Sequence, residues 1–143
     1  MRHLKSFEEF VNGGIITKTS ADLCRAKNII LEAERKFNSL NLNIKKVGIM
    51  NENANDYVEY CYDILMFLVR AKLYSAGYSI SGQGAHEAEV SYTRNLGFSE
   101  KEVQFLDNLR FFRNGILYYG KRLDIEYAEK VIQFTKKIYG KLK

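Results

Sequence analysis

The chain has 143 residues, 16.6 kDa, with 46% hydrophobic and 27% charged residues and a formal net charge of +5, which fits one globular domain that removes about 70% of its unfolded surface from water. No run of apolar residues approaches the roughly eighteen that cross a bilayer. The first twelve residues carry Glu8 and Glu9 and no apolar signal core, so membrane and secretory classes are excluded and a cytoplasmic location is expected. With no proline and only two cysteines, Cys24 and Cys61, far from either histidine, long unbroken helices are expected. Neither a structural metal site nor a cofactor is expected.

In chain order, the expected elements are helical throughout. Ser6 and Glu9 make a capping-box pair before Gly13-Gly14, which predicts one short helix inside an N-terminal extension, residues 1–18. A second helix is predicted from Thr19 or Ser20 to about Ser39, with Leu23, Ala26, Ile30, Ala33 and Phe37 on one face. Residues 41–55 hold five asparagines and Gly48 and read as a loop. Residues 55–76 are apolar on more than one face and read as a central helix, with Asp56, Glu59, Asp63 and Arg70 as its polar strip. Gly77, Gly82 and Gly84 mark a turn before a short helix over about 86–95. Ser99 and Glu102 form a second capping box, opening a helix to about Tyr119 that Gly120 ends; Asp124 caps a last helix to about Gly140. No segment shows strand alternation. The expected fold is all-α, an antiparallel, up-and-down four-helix bundle with short extra helices in one domain, its core spanning about 19–143.

The positive charge is concentrated late. Residues 121–143 hold seven basic and three acidic side chains, whereas residues 61–120 hold six of each. That distribution suits either a phosphate backbone or the C-terminus of a helix dipole.

There is no P-loop, dinucleotide turn or HExxH zinc pattern. The informative stretch is residues 105–120. There Phe105, Leu109, Phe112 and Ile116 predict a core face, with Arg110, Asn114 and Tyr118 beside it at steps of four and Arg113 flanking them. Guanidinium, amide and phenol groups together can hold a phosphate and stack a base. The alternative is that both arginines pair with acids of a neighbouring helix, Asp56, Glu59 or Asp63. His86 is a second candidate for proton transfer, and Glu87 and Glu89 read as solvated.

The helix order and the run LRFFRNGILYYG resemble the HEPN domain family. The family's hallmark is an Arg, usually followed by a polar residue such as Asn, and a His with four to six residues between the Arg and the His. Arg113-Asn114 matches the first part, and Tyr118 stands where the His belongs. The resemblance implies a small helical bundle, often homodimeric, that is in many members a metal-independent endoribonuclease and in many paired with a minimal nucleotidyltransferase. A phenol titrates near 10 and an imidazole near 6.5, so a tyrosine in that place is a poor proton acceptor at neutral pH. The expected function is therefore RNA or nucleotide binding through Arg110, Arg113, Asn114 and Tyr118, without strong nuclease activity. A partner-docking module, and an endoribonuclease using Arg113 with Tyr118 or His86, are the alternatives.

Overall fold

The computed structural model describes residues 3–143; Met1 and Arg2, within the expected N-terminal extension, lie outside it. Ser6 caps α1 (Phe7–Asn12), and the reciprocal bond from its own N–H to Glu9 completes the capping box. A short strand β1 (Ile16–Lys18) follows, then α2 (Leu23–Val47), α3 (Ala54–Ser75), β2 (Tyr78–Ile80), α4 (Ala85–Tyr92) with a 3-10 turn (Thr93–Leu96), α5 (Glu100–Tyr119) and α6 (Ile125–Leu142). The chain is mostly helical, as its composition and punctuation predict.

Three features differ from the sequence reading. The helix expected to end near Ser39 runs on to Val47, through half of the predicted loop. Leu40 is fully buried and Ile44 packs on the core, so the apolar period continues and tertiary packing outweighs the weak helix propensity of the asparagines. Its N-cap is Asp22, whose carboxylate accepts from the Arg25 N–H at 3.0 Å. The last helix passes through Gly140 to Leu142, whose buried side chain anchors the final turn.

The third difference is the two-stranded ribbon. β1 and β2 pair antiparallel with Ile16 opposite Ile80 and Lys18 opposite Tyr78. Strands of three residues are too short to show alternation in a sequence, and their partners lie some sixty residues apart. The ribbon joins residues 4–18 to the rest. Phe10 and Ile16 are buried with Ala88 of α4, and the Arg94 guanidinium donates to the carbonyls of Leu4 and Lys5 at 3.1 and 2.9 Å.

α3 is the central element. It packs against α2, α4, α5 and α6, and Val58, Cys61, Ile64, Leu65, Leu68 and Val69 are all buried along it. Ring contacts tie the outer helices together: Phe37 of α2 stacks on Tyr139 of α6 at 3.8 Å, and Phe105 of α5 meets Phe134 of α6 at a tilt at 4.4 Å.

Gly77 makes the turn from α3 into β2 at φ +82°, and a Cβ there would fall 2.7 Å from the Thr19 carbonyl oxygen. Gly77→Ala is expected to cost about 2 kcal/mol or more, combining left-handed strain with a backbone clash. Gly14→Ala, at φ +79° with open space around it, carries only the strain. Thermal denaturation of the two variants should therefore separate them, with Gly77→Ala the lower; equal midpoints would refute the clash.

Candidate functional site on helices α3, α4 and α5

α5 starts at a second capping box, where Ser99 receives the Glu102 N–H at 3.2 Å and the Glu102 carboxylate accepts the Ser99 N–H at 2.9 Å. This fixes the helical phase of everything after it. Leu109 sits in the core, while Phe105, Phe112 and Ile116 are half-buried around it. The deepest face of the helix is Val103, Leu106, Leu109 and, with them, Arg110.

Arg110 does not share an open strip with Asn114 and Tyr118. It is 5% exposed, and its Nε donates to Asp107 Oδ1 at 2.9 Å. Its Nη2 lies 2.9 Å from the same oxygen without hydrogen-bond geometry, and Glu87 is 3.9 Å from Nη1. The reason is the helical period: each step of four residues overshoots a full turn by about 40°. Over two steps the strip therefore turns from the buried face at Arg110, through half-buried Asn114, to Tyr118, which is 75% exposed.

Arg113 is in a different state. Its side chain is 24% exposed, its Nη2 meets Asp63 Oδ1 of α3 at a long 3.5 Å, and its guanidinium lies 5.2 Å from the centre of the Tyr62 ring. Its Nε is buried with no hydrogen-bond partner among the described residues. The Asp63 pairing is the one foreseen as an alternative in the sequence. Tyr118, five residues on, projects roughly 140° around the helix from Arg113.

On α4 the pattern is reversed for the acids. Glu89, which reads as solvated, is 4% exposed, and Arg70 of α3 holds both of its carboxylate oxygens through Nε and Nη2. His86 is 60% exposed at the helix start, with Nδ1 3.3 Å from Glu89 Oε1. The Glu89 hydrogen bond is also the main reason Arg70 has its pKa raised. Between these groups stands the buried Tyr62 phenol. Burial first, and Glu89 next, push its pKa up, against the opposing pull of Arg110, Arg113 and Arg70.

Tyr62, Arg70, Glu89 and Asp107 therefore belong to the charged layer and were not singled out by the sequence as site residues. Asp107 and Arg110, three apart on one helix, carried a local signal; Arg70 and Glu89, on different helices, carried none.

The basic C-terminal segment does not converge on Arg113. Lys137 and Lys141 reach Glu102 at 3.2 and 3.6 Å, Lys143 reaches Glu34 at 3.2 Å, and the Lys121 ammonium lies over the Phe112 ring at 4.5 Å. Much of the late charge is thus spent on neighbouring helices, as the helix-end reading allowed. At the end of α5, Phe111, Leu117, Tyr118 and Tyr119 are exposed.

Among the described residues, no three His, Cys, Asp or Glu side chains gather at metal-binding range, and no helix is long and apolar enough to cross a membrane. No family model matches the chain, and no curated protein and no solved structure is significantly similar to it.

Proposed function

We propose that this chain is a cytoplasmic, HEPN-like four-helix domain that binds RNA or a nucleotide through Arg113, with Asn114 and Tyr118 as further contacts on other faces of the same helix and without strong nuclease activity. The observation that carries this reading is the Arg113 guanidinium. It is partly open, and its one hydrogen bond among the described residues is the long one from Nη2 to Asp63 at 3.5 Å. A guanidinium so placed has donors left for a phosphate, which it would hold as a charge-assisted fork. Arg110, enclosed by Asp107 and Glu87, has no such freedom and acts as a structural ion in this reading. Tyr118 offers an exposed ring for stacking on a base.

The test is a cleavage and binding assay on labelled single-stranded RNA in EDTA. The expected result is binding that weakens steeply with salt, no cleavage, and an affinity about 10- to 100-fold lower in Arg113→Ala, the range for charged hydrogen bonds. Cleavage that disappears in Arg113→Ala would replace this reading with an endoribonuclease. No binding by either protein would leave docking as the function.

The exposed Leu117, Tyr118 and Tyr119 at the end of α5 favour docking as a second reading, because clustered exposed apolar side chains mark interaction surfaces. The occupants that fit it are a second copy, giving a homodimer, or a minimal nucleotidyltransferase partner.

A further inference from the structure

We infer that the cleft between α3, β2 and α4 is a pocket for one unstacked nucleobase, read along its hydrogen-bonding edge by His86 and Arg70. This rests on the nucleotide-binding reading above and says where the base goes, at a place distinct from Arg113.

The cleft encloses about 310 Å³, at the small end of the range for ligand pockets. Tyr74, Tyr78, Leu73 and Ile80 line it beside Arg70, His86 and Glu89, so aromatic and aliphatic walls on which a planar ring stacks make up about half of the lining. Both tyrosines are braced from elsewhere: the Arg25 guanidinium lies over the Tyr74 ring at 4.2 Å, and Phe7 meets Tyr78 edge-on at 5.1 Å. A site held in shape before the ligand arrives loses less entropy on binding.

The polar end is built around Glu89. Its carboxylate is occupied, since Arg70 takes both oxygens and His86 Nδ1 shares Oε1 with Arg70 Nη2 at 3.3 and 3.0 Å. Glu89, whose side chain is almost fully buried, therefore orients two neighbours and presents little surface of its own to a ligand. A carboxylate only accepts, so the imidazole tautomer that pairs with Glu89 carries its proton on Nδ1 and has its lone pair on Nε2. Arg70 Nη1 makes no hydrogen bond among the described residues. An acceptor and a donor thus belong to two side chains that share one Glu89 oxygen and both line the cleft. Their complement is an adjacent N–H and acceptor on a planar ring, the feature the pairing edge of a nucleobase presents. Arg113, whose guanidinium lies 5.2 Å from the centre of the Tyr62 ring, is not part of the cleft lining.

The test is a titration of the full chain followed by backbone amide chemical shifts. The probes are UMP, N3-methyl-UMP (which lacks the ring N–H), ribose 5-phosphate and a short oligo-U. UMP should shift the amides of residues 74–80 and 85–89. The N3-methyl and base-free probes should bind there at least tenfold more weakly. His86→Ala, at an exposed position, should abolish the cleft shifts while leaving the spectrum otherwise folded. Oligo-U binding far tighter than UMP identifies an RNA strand as the source of the base; equal affinity identifies a free nucleotide. Shifts confined to the surroundings of Arg113 and Tyr118, cleft shifts unchanged by His86→Ala, or equal binding of N3-methyl-UMP would overturn the pocket and leave the nucleotide-binding reading standing. No shift with UMP or oligo-U would remove both.

Discussion

Asp107→Ala is expected to lower the unfolding free energy by about 3–5 kcal/mol, the cost of leaving a buried charge without its partner. Asp107 and Arg110 are both nearly inaccessible, and one carboxylate oxygen faces Nε and Nη2 of the guanidinium at 2.9 Å. With the carboxylate gone, Arg110 keeps only Glu87 at 3.9 Å, an acid that is itself half-exposed. A guanidinium does not lose its proton to relieve this, because its pKa is above 12. The urea midpoint should fall accordingly. The double variant Asp107→Leu, Arg110→Met should recover most of the loss, since apolar replacement of a whole buried pair is often neutral or stabilising. A single variant with the parent midpoint would show that Arg110 finds water when Asp107 is absent.

The domain is also expected to lose most of its stability as the pH rises from about 9 toward 12. Burial pushes the Cys61 thiol up to about 12 and the Tyr127 phenol up to about 12, and raises Tyr57, Tyr62 and Tyr92 as well. In the unfolded chain a thiol releases its proton near 8.5 and a phenol near 10. Above those values the unfolded state binds fewer protons than the folded one, so stability is complete below about pH 8.5 and falls as pH climbs through the raised folded values. The helical circular-dichroism signal should disappear together with the rise of tyrosinate absorbance from the buried set. Cys61→Ala should delay the onset toward the phenol range. Helicity that survives to pH 12 with the buried tyrosines already ionised would refute the linkage.

The parts of this molecule that sequence alone determined are the local ones. The Ser6–Glu9 and Ser99–Glu102 boxes, the Asp124 cap and the stop at Gly120 are set within a few residues, and each is found where the sequence places it. The wide apolar surface of α3 likewise marked it as central, because a helix apolar on several faces has to be enclosed. Tertiary structure decided the rest. The length of α2 depends on Leu40 and Ile44 finding α3, and the β1–β2 ribbon exists only because chain segments sixty residues apart meet. At the site, spacing placed Arg110, Asn114 and Tyr118 on related turns. Only packing decided that Arg110 is enclosed by acids, that Arg113 keeps an unsatisfied Nε, and that Glu89 leaves water to bind Arg70. Whether a charge is a ligand contact or a structural ion depends on desolvation and on partners from other helices, and those are fixed by the approach of α3, α4 and α5, not by the order of residues along any one of them.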